Sequence, residues 1–293
     1  MGYNLEHFEK DSITYFSGEI TGLIKDQNLI LDFLKEYLLA TNGQIQRTNA
    51  DCFIQLATKI RLNLEAVNDL LPKLYGDYRF KTGVNLIYRS VVDDVLNFFY
   101  LATFLLNNDA DQVSLGNELI ILHKEFLLSA IKGIDAQIGH DKFIHEMLGM
   151  EPPAEEEFLE ELMSANPEIY SNGKVKTSLE IRSSSHEDFR NALQDVKGPF
   201  MSESRKIKHL EQFGHGPVGL ALEELFKYFS QYQHYSPKTH EFILTSIDLD
   251  LAMYRKCIFQ VLHFLDAALK IIIVENNEYF SSLYRDQISK MND

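Results

Sequence analysis

The stretch TGVNLIYRSVVDDVLNFFYLATFLL, residues 82–106, restricts the fold more than any other part of the chain. Apolar side chains recur in it at three- and four-residue spacing and continue around most of a helical wheel. A helix apolar over most of its girth has to be enclosed by other helices.

The neighbouring sequence supplies those helices. LIKDQNLILDFLKEYLLA keeps the helical period and stops at Thr41, Asn42 and Gly43. A second pattern runs from about Thr48 to Leu71, with Thr48 or Asn49 as its cap and Pro72 near its end. The enclosed segment itself extends from about Asp77 to Leu106, and a fourth begins near Asp111 and continues to about Leu148, with Gly133 and Gly139 as places for a kink. Four long helices on short linkers predict an all-α fold, a multi-helix antiparallel bundle. At 293 residues, 45% of them hydrophobic and 24% charged, the chain can bury a sizeable core, and we expect one helical domain over 1–293.

Residues 151–199 break the pattern. PPAEEEFLEELM opens a short helix, after which the helical period is lost. Asn172 and Gly173 form a turn signal, and Val175, Thr177, Leu179 and Ile181 alternate as in a strand. This stretch is expected to be an irregular insertion carrying a small β-hairpin. Helices follow through SRKIKHLEQF and over 218–234, and a last helical stretch starts at Ser236 and Pro237 and is apolar to Val274.

Several classes of function are disfavoured. FFYLATFLL and IIIV are far shorter than the ~20 residues that span a bilayer, so no membrane segment is expected. Glu6, Glu9 and Asp11 stand where a secretory leader would carry basic residues, and the two cysteines, Cys52 and Cys257, lie in apolar helical patterns. A reducing, cytoplasmic location follows. The net charge of −15 counts against polyanionic partners, and SRKIKHL is too sparse a basic patch to reverse it.

Gly214, Gly216 and Gly219 have the spacing of a dinucleotide-binding loop. That loop needs a preceding strand, and a basic helical pattern stands there instead. The glycines are better explained as a helix-to-helix connection, with Gly214 left-handed and Pro217 opening the next helix. No cofactor is expected. His140, Asp141 and His145 are too few for a metal site, and serine-elbow, Walker and zinc-protease motifs are absent from the sequence.

Two polar strips remain as candidate site residues. On the enclosed helix, Asn85, Asp93, Tyr100 and Thr103 fall within about 40° of Arg89 on a helical wheel. Either Arg89 and Asp93 pair with each other on an exposed face, or they belong to a buried polar network or cleft. On the helix over 218–234, Glu223, Lys227 and Ser230 share a face with His234, while Tyr232 lies with the apolar residues. Ser230 and His234, one turn apart, are the minimum of a nucleophile and base pair, although a surface helix must in any case present polar groups outward.

A helix containing YRSVVDDVLNFFYL, followed much later by one ending FSQYQHYSP, resembles an uncharacterised family of all-helical bacterial proteins. That family is distantly similar to HEPN-type domains, many of which are metal-independent ribonucleases of toxin or phage-defence systems. The resemblance implies a site of Arg89, Asp93, Ser230, Tyr232 and His234, with His234 as general acid or base, Ser230 or Tyr232 assisting, and Arg89 stabilising phosphate charge. The chain departs from the HEPN pattern of an Arg and a His with four to six residues between them in one helix: RSSSH and RKIKH have three intervening residues, and Arg89 would have to meet His234 across two helices. It also has Asp93 where glutamate is expected. Two functions are therefore carried forward: an interaction or oligomerisation module with a protein partner or a second copy, and an RNA-cleaving enzyme of this type.

Overall fold

The computed structural model describes residues 12–41, 51–106, 115, 118–119, 136–151, 160, 164, 170–171, 174–175, 202–233, 247–273 and 277–292. The chain divides into two compact units: Met1–Leu115 with Ser202–Asp293, and Gly116–Met201. The expected 151–199 insertion falls within the second.

In the first unit, α1 (Ser12–Thr41) and α2 (Asp51–Leu70) lead through 3-10 turns at Leu71–Tyr75 and Tyr78–Phe80 into α3 (Lys81–Thr103). α1 begins earlier than the periodicity indicated and ends, as expected, at Thr41. Both α1 and α2 bury one stripe at helical spacing, Ile20, Leu23, Ile30, Leu34 and Tyr37 on the first and Phe53, Ala57, Ile60, Leu64 and Val67 on the second. By contrast α3 is buried on nearly every side, from Val84 and Tyr88 to Leu101 and Ala102. It is the central rod that its composition required.

The enclosing helices come largely from the other end of the chain. α5 (Glu203–Gln212) and α6 (Gly216–Ser230) pack on α3, as does α7 (Asp248–Ile272), and α8 (Asn277–Asn292) closes against α1 and α7. Aromatic contacts fix the directions. Phe53 of α2 meets Phe98 while Lys59 meets Asp94, so α2 and α3 run antiparallel. Phe99 faces His215 while Tyr88 stacks on Phe229, so α3 and α6 are antiparallel too. α7 runs parallel to α3, pairing Tyr254 with Tyr88 and Phe264 with Phe99. The architecture is an all-α bundle. Its last helix was not anticipated in the sequence.

The glycine connection has the role assigned to it. Gly214 adopts φ +82° after α5, and Pro217 lies in the first turn of α6. A Cβ on Gly219 would come within 3.2 Å of Ile207 Cγ2, so this glycine lets α5 and α6 approach closely. The caps expected at Thr48 or Asn49 and at Ser236 lie outside the described residues.

In the second unit, α4 spans 136–148 and passes through Gly139 without leaving the helix. Two-residue strands β1 (Tyr170–Ser171) and β2 (Lys174–Val175) pair antiparallel, with Tyr170 opposite Val175, on either side of the anticipated Asn172–Gly173 turn. The short helix expected from 152 lies mostly outside the described residues, as does the continuation of the strand beyond Val175.

A residue with Cβ resists the left-handed conformation by roughly 1–2 kcal/mol, so Gly214→Ala should lower stability by about 1 kcal/mol. Urea unfolding followed by far-ultraviolet circular dichroism checks it, with Gly18→Ala, which nothing crowds within 4 Å, expected to hold or raise the midpoint.

Candidate functional site: a polar seam along the central helix

The two strips meet. Arg89 Nε donates to Ser230 Oγ at 3.0 Å, and the guanidinium lies 4.7 Å from the centre of the Phe226 ring one turn earlier on α6. Stacking on a ring face suits a weakly hydrated, delocalised cation. Arg89 therefore turns toward α6 and does not pair with Asp93. Asp93 Oδ1 instead faces Lys206 of α5, 3.9 Å from Nζ, with the lysine itself buried.

The other strip members are also committed between helices. Asn85 donates through Nδ2 to Asp250 Oδ1 at 3.2 Å and to the Lys81 carbonyl at 2.8 Å. Thr103 lies 2.8 Å from His209 Nε2, and the Tyr100 ring meets the same imidazole edge to face. Because the Thr103 hydroxyl donates to the Tyr100 carbonyl at 2.6 Å, its oxygen must accept from His209, which fixes the Nε2–H tautomer. Phe104 stacks on the other side of His209 and Phe213 lies against it. Burial among these rings holds the imidazole below its ordinary pKa.

At the N-terminal end of the seam sits an ion pair that the residue pattern did not reveal. Lys81 and Asp250 are both buried, with Nζ and Oδ2 2.9 Å apart. Asp250 Oδ1 also accepts from Tyr228 at 2.8 Å and from Tyr232 at 2.6 Å. A carboxylate can be kept inside a bundle when this many donors replace its water. Burial first, and the Asp250 charge in addition, push both tyrosine hydroxyls well above their ordinary pKa. Tyr232, a candidate for assisting proton transfer, is thus a buried donor bound to Asp250.

Of the candidates, the structure brings Arg89 and Ser230 together, sets Asp93 on Lys206 and Tyr232 on Asp250, and leaves His234 outside the described residues. On the outer side of α6, Lys227 pairs with Glu223 at 2.6 Å, an exposed pair within one helix. In α4, His145 Nδ1 lies 2.7 Å from the Asp141 carbonyl and donates to it. Among the described residues no three histidine, cysteine or acidic side chains converge as a metal site would require. Lys81, Asp250, Tyr228 and His209 were missed because their partners are distant in sequence; Lys81 and Asp250 are 169 positions apart. Comparisons with models of protein families, with curated proteins and with solved structures find no match.

Two outcomes follow. Asp250→Ala should cost about 3–5 kcal/mol by stranding Lys81, whereas Asp250→Leu with Lys81→Met should restore much of the loss, as read from urea midpoints. For His209 the depressed folded pKa means that the unfolded chain takes up a proton first on acidification. Stability should therefore fall as pH drops from above 6.5 through the lowered value, and His209→Gln should flatten that part of the pH profile.

Proposed function

We propose that this chain is a helical interaction module whose polar seam is structural, and that it meets a protein partner or a second copy of itself. The observation that carries this reading is the commitment of every member of the central strip to a neighbouring helix: Asn85 to Asp250, Arg89 to Ser230, Asp93 to Lys206, Tyr100 and Thr103 to His209. Groups spent in this way hold helices in register. Support for a partner comes from α4, where Phe143 and Met147, one turn apart, are 60% and 65% exposed, and Met150 just beyond its end is 58% exposed. Flexible thioethers beside an aromatic ring suit an adaptable contact. The two cysteines, not joined by a disulfide, favour a reducing cytoplasm as its setting.

Light scattering over a concentration series is expected to give a mass above that of one chain, reduced by Phe143→Asp with Met147→Asp and unchanged by Arg89→Ala. A strictly monomeric chain that also retains no partner from its own cell extract would remove this reading. Arg89→Ala should lower stability by about 1–2 kcal/mol through loss of the Ser230 bond and the Phe226 contact.

A second reading is favoured by one distance. Arg89 Nε lies 3.0 Å from Ser230 Oγ, so the two strips converge four positions before His234 in the sequence. That supports a HEPN-like, metal-independent ribonuclease, with Arg89 and His234 on one phosphate. Cleavage of single-stranded RNA in the presence of a chelator, lost in both Arg89→Ala and His234→Ala, would establish it; intact RNA would dismiss it.

A further inference from the structure

Away from the polar seam, a cleft of about 480 Å³ opens between α1, α7 and α8, within the size range of small-molecule sites. Part of its wall is apolar, formed by Ile258, Phe259 and Met291, and Phe259 is 43% exposed. Charges of both signs line the same space. Arg255 and Lys25 bring cations, and Asp26 brings a carboxylate.

These charges are only partly used by the fold. Arg255 Nη2 meets Glu19 Oε2 at 2.5 Å, which occupies part of a five-donor fork. Asp26 makes no hydrogen bond or ion-pair contact among the described residues. Its carboxyl is held above the ordinary range by burial, with Lys25 and Arg255 pulling it down.

The floor of the cleft is Gly22. A glycine inside a helix costs about 1 kcal/mol against alanine, and no backbone approach requires it here. A Cβ at this position would meet only Arg255 Nη2, at 3.7 Å. What the missing side chain provides is room beside Arg255.

A simple anion would meet Asp26 and Glu19, and a simple cation would meet Lys25 and Arg255. A ligand with both charges satisfies both. We propose that this cleft binds a free amino acid with a large apolar side chain: its carboxylate on Arg255 and Lys25, its ammonium on Asp26, and its side chain against Ile258, Phe259 and Met291. A peptide terminus offers only one of the two charges, so the free zwitterion is the matching class.

Calorimetric titration of the full chain with L-phenylalanine tests it. Saturable one-site binding at or below about 1 mM is expected. 3-Phenylpropanoate and phenethylamine, each lacking one charge, should bind at least about tenfold more weakly, a difference of about 1.4 kcal/mol. Gly22→Leu should abolish binding while holding or raising the melting temperature, because leucine favours the helix and fills the cleft. Asp26→Asn should weaken L-phenylalanine about tenfold and leave 3-phenylpropanoate unchanged. Three results would each overturn the proposal: no saturable heat from either L-phenylalanine or L-leucine, half-ligands that bind as well as the whole amino acid, or parental affinity in Gly22→Leu.

Discussion

Taking a charge out of water into a bundle of hydrocarbon is the constraint around which this protein is arranged. Asp250 stands at the start of α7 with almost no exposure, and its hydration is replaced by Lys81, Asn85, Tyr228 and Tyr232, donors drawn from α3 and from α6 with the turn that follows it. None of those helices can slide by a turn without stranding a donor or the carboxylate. Apolar packing alone tolerates such slippage, since leucines and valines one turn apart present similar surfaces. The ion pair adds little net stability beyond what a hydrophobic replacement would give; its effect is to make one alignment much better than the next.

The same reasoning extends along α3. Tyr88 lies between Phe229 and Tyr254 with ring centres 5.5 and 5.0 Å away, and its hydroxyl donates to Gln27 Oε1. Gln27 in turn donates to Asn68 and to the Leu64 carbonyl at the α1–α2 contact. Asp94 takes Lys59 of α2 at 2.7 Å, and burial still holds its carboxyl above the ordinary range. Polar residues of α3 thus reach α1, α2, α5, α6 and α7, and the apolar remainder fills the space between them.

How much of this could be read in the residues depended on separation along the chain. Periodicity is local, so α1, α2, α3, α5 and α6 were legible, as were the left-handed Gly214 and the antiparallel pairing of β1 with β2. The strip of Asn85, Arg89, Asp93, Tyr100 and Thr103 was visible for the same reason. Its destinations were not, because pairing between helices is a tertiary fact: Arg89 looked able to pair with Asp93 on its own helix, yet it reaches Ser230 across 141 positions. Lys81 and Asp250 gave no signal at all, because the partner of each lies 169 positions away. α8 was missed because its apolar residues are sparse, with Phe280 its main buried anchor, against Phe33 and Tyr37 of α1.

The separation of Lys81 from Asp250 also has a temporal side. The ribosome makes α3 well before α7, and at about 5–20 residues per second the wait is roughly 10–30 s. Until α5 and α6 follow, while residues 116–201 are still being added, the most enclosed rod of this unit has only α1 and α2 for cover. Nascent chains in this condition are the natural clients of holding chaperones, and a translation pause placed after α3 would lengthen their exposure.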